Sequence, residues 1–147
     1  MKRHGHFFSL STGAAIVAGS LAMAALPASA EEPVLAVELN TVTEIENGCR
    51  LSFLAENTLG ADLSVLVLET VLFTVDGGVD RLTLFDFQDL PRGRPRVRQF
   101  DLNGSNCVNL GDLLINGVQS CIGEGLAGSE CSEALSLSSR TDHEVKG

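Results

Sequence analysis

From Leu63 to Val75 the chain runs LSVLVLETVLFTV, in which odd and even positions alike are apolar, and the run stops at Asp76-Gly77-Gly78. Val, Leu, Phe and Thr suit a pleated backbone. A strand that is apolar on both sides is a central strand covered on two faces, unlike the half-wet strand of an open sheet. The run is too short, and too interrupted by Glu69, to cross a membrane. Asp-Gly-Gly signals a tight hairpin, because glycine accepts the positive φ such turns require. Val79 to Phe87 then returns as the partner strand.

Alternation dominates elsewhere too, and helical periodicity is scarce after residue 30. Leu39 to Glu46 predicts a strand closed by Asn47-Gly48. Cys49, Leu51, Phe53 and Ala55 alternate with Arg50, Ser52, Leu54 and Glu56, a half-buried strand, and Asn57 to Asp62 holds the next turn. Gln88 to Pro95 reads as a loop and Arg96 to Leu102 as a strand. Asn103-Gly104-Ser105-Asn106 turns the chain into a strand over Val108 to Ile115. Gly117 to Gly128 reads as irregular, with one helical turn near Ser129 to Ala134. Leu135 to Arg140 is a closing strand and Thr141 to Gly147 a polar tail. No internal repeat is visible. Six to eight short strands at this spacing predict an all-β, antiparallel sandwich.

The N-terminus has the three parts of a secretory signal peptide. Lys2 and Arg3 carry its charge, Ile16 to Leu26 is apolar, and Pro27 precedes the small residues Ala28 and Ala30. Cleavage is expected after Ala30, leaving residues 31–147 as one domain with a Cys- and Gly-rich C-terminal part. The short, Ala-rich form is of the bacterial type and directs the product to the periplasm or beyond. An uncleaved anchor is the alternative, since Phe7 to Leu26 is about long enough to span a bilayer. Twin-arginine export is disfavoured, because Lys2-Arg3 lacks the arginine pair.

Lys2 and Arg3 are two of the chain's 10 basic residues, and none of its 19 acidic ones precedes Glu31, so residues 31–147 carry a net charge of −11. That balance argues against nucleic acid and against anionic lipid as general partners. All four cysteines, Cys49, Cys107, Cys121 and Cys131, lie in this part. An even number in a small exported domain points to two disulfides. Three pairings are possible, of which Cys49–Cys107 with Cys121–Cys131 is preferred. On the chain-entropy model such loops contribute ~4 and ~3 kcal/mol. Zinc is disfavoured, because no Cys-x-x-Cys pair exists and the one histidine after residue 30 is His143.

The order "CRLSFLAEN", "LSVLVLETVLFTVDGG", "LPRGRPRVRQFDL" resembles the FxLYD-type immunoglobulin-like domains of exported bacterial proteins, over roughly Cys49 to Leu102. Leu72-Phe73-Thr74-Val75 stands where that pattern has its tetrad, and the segment after Asn103 has no counterpart. The resemblance implies an immunoglobulin-like sandwich with an accessory or interaction role, and it transfers no catalytic residue.

The strongest local anomaly is Pro91-Arg92-Gly93-Arg94-Pro95-Arg96-Val97-Arg98, which holds four of the seven arginines after residue 30. If extended, a period of two puts Arg92, Arg94, Arg96 and Arg98 on one face, as a ladder about 20 Å long. Guanidinium forks suit carboxylate, sulfate or phosphate. The plainer reading is internal neutralisation by Asp86, Asp89 and Asp101, or an edge strand protected by charge.

Other motifs carry less. Gly123-Glu124-Gly125-Leu126-Ala127-Gly128 matches a dinucleotide fingerprint in letters, but lies between cysteines expected to be bridged, outside any βαβ unit. Asp76, Asp80, Asp86, Asp89 and Asp101 lack the spacing of a calcium loop. His143, in the polar tail, is a poor base for a nucleophile. Asn103-Gly104-Ser105 fits a glycosylation sequon that a bacterial-type leader leaves unused. Trp and Tyr are absent, so stacking platforms are largely missing. Phe53, Phe73, Phe85, Phe87 and Phe100 each fall in an expected strand and read mainly as core.

The sequence therefore points to an exported, non-enzymatic binding module without a cofactor. Its expected partner is an envelope protein or an anionic polysaccharide, met by the Arg92 to Arg98 face. The alternatives are a small exported hydrolase with convergent carboxylates, or a structural subunit of an envelope assembly.

Overall fold

The computed structural model describes residues 31–147 together with Met1 and Gly5. The expected leader and its cleavage after Ala30 lie outside the described residues. By compactness the chain divides into Met1–Ala30 and Glu31–Gly147.

The second unit is built of β1 (Leu35–Ile45), β2 (Gly48–Asn57), β3 (Leu63–Thr74), β4 (Val79–Leu90), β5 (Arg96–Asn103), a 3-10 turn (Cys107–Asn109), β6 (Leu110–Gly123), the short helix α1 (Glu130–Glu133), β7 (Leu135–Ser139) and β8 (Val145–Lys146). They form two four-stranded sheets, ordered β5-β2-β1-β7 and β4-β3-β6-β8. The Leu63 to Val75 run is central, with β4 and β6 on either side, but the expected cover on two faces is met only on the inward one, through Leu66, Leu68 and Leu72. Gly77 turns the β3–β4 hairpin at φ 82°.

Alternation places Leu35, Val37 and Leu39 of β1 and Cys49, Leu51, Phe53 and Ala55 of β2 in one buried cluster. The second sheet adds Leu66, Leu68 and Leu72 from β3, Phe85 and Phe87 from β4, and Leu113 and Ile115 from β6. Phe53 sits at the centre, its ring 5.8 Å from Phe85 and 5.6 Å from Phe87. Phe100 closes the aromatic group, stacked on Phe85 at 4.3 Å. Among the described phenylalanines Phe73 alone lies on the other side of β3, where it is half-buried.

The sheets are mixed, which corrects the antiparallel expectation. β7 runs parallel to β1, with Leu35 opposite Leu135, and β8 runs parallel to β6. Alternation reports which face of a strand is buried and is blind to the strand's direction. A long excursion through the other sheet, from β6 to α1, lets the chain return beside β1 in the parallel sense. The amide of Leu35 then donates to Ala134 O at 2.9 Å, tying the return to the start.

Several boundaries also differ from the sequence reading, and β1 begins at Leu35, four residues before the expected Leu39. β6 continues through Gly117 to Gly123, because its backbone stays paired with β3 through a series of register shifts. β4 continues past Phe87 to Leu90, carried through Gln88 at a φ of 59°. The polar tail contributes β8, held by Leu113 N donating to Glu144 O at 2.9 Å.

Both cysteine pairs are bridged, Cys49–Cys107 with Cα atoms 5.0 Å apart and Cys121–Cys131 with Cα atoms 6.4 Å apart. The first ties β2 to the turn before β6, and the second ties the end of β6 to α1. No cysteine is free, the state an oxidising compartment produces.

Candidate functional site

The four arginines do not form one continuous ladder. The chain turns at Pro91 to Arg94, where Arg94 N donates to Pro91 O at 3.2 Å and Gly93 adopts φ 67°. Arg92 and Arg94 are exposed on this turn. Only Arg96 and Arg98 lie in β5, and there they share a side with Phe100 and buried Leu102, while Val97, Gln99 and Asp101 face solvent. The period of two is kept in β5 but points its arginines toward the edge of the core. A left-handed glycine at position 93 breaks the register with Arg92 and Arg94.

Arg98 is occupied within the fold. Its side chain is 17% exposed and 3.2 Å from Asp89 Oδ1. Nε donates to Phe87 O at 2.6 Å and Nη2 to Asp89 O at 2.8 Å. A single guanidinium thus links the edge strand of the first sheet, β5, to the edge strand of the second, β4.

Of the three expected neutralising acids only Asp89 meets the arginine series, at Arg98. Asp101 takes a two-pronged pair from Arg50, at 2.6 and 2.8 Å. That hydrogen bonding, helped by charge attraction, holds the Asp101 carboxyl below its ordinary value and raises the Arg50 guanidinium. Asp89 pairs with Arg98. Asp86 Oδ1 accepts from Gln88 N at 2.8 Å. Among the described residues, Arg92, Arg94 and Arg96 form no ion pair with any carboxylate.

Residues that no motif announced hold the turn in place. Asn57 is fully buried at the end of β2. Its Nδ2 donates to Ala61 O and to Leu90 O, each at 2.9 Å, and its Oδ1 accepts from Leu59 N at 2.9 Å. Its carbonyl accepts from Gly93 N at 2.8 Å. Asp62 accepts from the backbone amide of Arg92 at 2.7 Å. In sequence Asn57 and Asp62 looked like ordinary turn formers. The only local hint was an Asn ending an alternating strand on its buried phase.

The remaining candidates are placed as follows. Gly123 ends β6 and Gly125 turns at φ 75°, so the Gly-rich stretch connects a strand to a four-residue helix inside the Cys121–Cys131 loop. Asp76 and Asp80 line a hollow of about 390 Å³. Asp80 pairs there with Arg81 at 3.0 Å, and Arg81 also donates to Ser105 Oγ at 2.6 Å. His143 Nδ1 lies 3.0 Å from Gly111 O. Among the described residues, no three His, Cys, Asp or Glu side chains are grouped to hold a metal ion, and no helix is long and apolar enough to cross a membrane. No family model, curated protein or solved structure matches the chain.

Proposed function

We propose that residues 31–147 are an exported, non-enzymatic accessory module that captures an anionic group, from an envelope polysaccharide or an acidic envelope protein, through Arg92, Arg94 and Arg96. One observation carries this reading. In a segment with a net charge of −11, three neighbouring guanidinium groups lack carboxylate partners among the described residues. The three acids expected to neutralise them are bound to Arg50, Arg98 and the Gln88 amide. Guanidinium groups without carboxylate partners, exposed at Arg92 and Arg94 and half-buried at Arg96, are the fork-shaped donors that carboxylate and sulfate accept. Arg98 moves from the binding role to a positioning one, since it anchors the strand from which the turn departs.

Two four-stranded sheets sharing a buried cluster support the further proposal of an immunoglobulin-like sandwich, with parallel β7 and β8 as additions to that plan. Two disulfides support export to the periplasm or beyond.

The test uses the full chain, expressed with its own N-terminus and purified after export, on immobilised dextran sulfate and polygalacturonate, with neutral dextran as reference. Retention on the charged matrices and release by salt are expected. Arg92→Glu with Arg94→Glu should weaken retention by about tenfold or more. Arg140→Glu, at an exposed arginine far along the chain, should leave it unchanged. Equal retention of the folded double variant overturns the reading.

A further inference from the structure

Among the described residues no further layer covers the outward side of β3, where neighbouring strands leave Val71 9% exposed and Val65, Val67 and Phe73 half-buried. Inward lie Leu66, Leu68 and Leu72, and outward lie Val65, Val67, Glu69, Val71 and Phe73, so four of the five outward residues of this central strand are apolar. The pairing continues the apolar surface sideways. Val71 stands between Leu82 of β4 and Leu114 of β6, Phe73 is opposite Val79, and Val65 is opposite Ile122. Val79, Leu82, Leu84 and Ile122 are 67, 56, 52 and 55% exposed. The outward face of the other sheet is different in kind. Its β2 presents Arg50, Ser52 and Glu56, its β5 Gln99 and Asp101, and its β7 Ser136 and Ser138, and its exposed large apolar residues are a single cross-strand pair, Leu54 opposite Val97. A central strand apolar on both sides is the pattern of a sheet covered twice, and a contiguous exposed apolar patch with polar edges marks an interaction surface.

We propose that this outer face of the β4-β3-β6-β8 sheet is a docking surface for a partner polypeptide whose own apolar face is edged by lysine and arginine. The occupant follows from charge. The face carries Glu69, Asp86, Asp112 and Glu144 against one cation, Lys146, which is already paired with Asp112 at 2.7 Å and Glu144 at 3.1 Å. Glu69 is hydrogen-bonded by Asn116 and stays in the middle of the patch. A second copy of this chain would set these carboxylates against their own kind, and an anionic lipid surface would repel them. Basic groups around an apolar centre complement both parts of the face. The surface is separate from the Arg92–Arg94 turn, so the two readings stand or fall independently.

The test uses the full exported chain with a labelled amphipathic Leu/Lys helix as probe, followed by fluorescence anisotropy. A Leu/Glu helix of the same pattern, oligolysine without leucine, and phosphatidylglycerol vesicles serve as comparisons. The Leu/Lys helix should bind tightest. Leu82→Ser with Leu84→Ser, both at exposed positions, should weaken it by about tenfold, and Asp86→Asn should weaken it by a few-fold. Arg92→Glu with Arg94→Glu should not weaken it. Equal binding by the Leu82/Leu84 variant overturns the surface. Equal binding of the Leu/Glu helix, vesicle binding lost in that variant, or a dimer in sedimentation that the variant dissolves overturns the choice of occupant.

Discussion

Arg98 brackets Gln88. Its guanidinium donates to the carbonyls on either side, Phe87 O at 2.6 Å and Asp89 O at 2.8 Å, while Gln88 itself holds a φ of 59°. A left-handed residue inside a strand costs conformational energy for anything but glycine. Here it occurs on an edge strand, where it turns two carbonyls toward a single planar donor. The same contact covers backbone acceptors that a free edge would offer to another chain.

Arg98→Ala should therefore destabilise the protein by about 2–3 kcal/mol, the scale of lost charged hydrogen bonds to partly buried acceptors. Arg98→Lys should recover only part, because an ammonium cannot span both carbonyls as the fork does. Gln88→Gly should be neutral or stabilising by about 0.5–1 kcal/mol, whereas Gln88→Val should destabilise, since a β-branched residue resists positive φ. Urea unfolding of the four proteins checks the order.

Asn57→Ala should cost on the order of 3 kcal/mol, because it leaves two carbonyls and one amide without their side-chain partner in a buried place. It should also loosen the turn that carries Arg92 and Arg94. Thermal unfolding and retention on dextran sulfate should fall together in this variant, whereas Arg92→Glu with Arg94→Glu should lower retention alone.

Thr70 is fully buried at the centre of β3, and its hydroxyl has no hydrogen-bond partner among the described residues. Thr70→Val keeps the shape and removes the unpaired polar group. A gain of about 1 kcal/mol in urea unfolding is expected, and a loss of stability would contradict the assignment of that hydroxyl as unsatisfied.

The acid side of the stability curve should depend on two exposed pairs. Hydrogen bonding from Arg50 lowers the Asp101 carboxyl from 3.8, and hydrogen bonding from Lys146 and from the Glu144 amide lowers Asp112 from the same value. A carboxyl whose pKa is lower in the folded state contributes stability that is complete above the unfolded value and lost as pH falls through the folded one. Asp101→Asn with Asp112→Asn should flatten the loss of stability below pH 3.8. Lys146 is raised from 10.5, so its contribution persists below that value and fades only above it. Denaturant unfolding across the acid range, compared between parent and double variant, checks the sign.

Much of the fold was legible because short-range rules govern it. Asp76-Gly77-Gly78 makes its hairpin through glycine's freedom at positive φ, and alternation sets Phe53 on a buried phase and Phe85 with Phe87 on one face, which the packing shows to be core. The preferred cysteine pairing is the one formed. The candidate site was legible only in part. Arg92 and Arg94 stand exposed within the stretch that reads as a loop, but the alternate spacing gave no sign that Gly93 breaks their register with Arg96 and Arg98 or that Arg98 points to the other sheet.

By itself the sequence determined strands, hairpins and which residues are apolar enough to be buried, because those depend on backbone preferences and a period of two. Tertiary structure alone decided the direction of β7 and β8, the partners of Asp86, Asp89 and Asp101, and which apolar face remains open. Each of these depends on where distant segments meet. A strand's own residues record that both its sides want cover, but only the packing of the two sheets shows that the side bearing Val65, Val67 and Phe73 stays half-buried, with no further layer over it among the described residues.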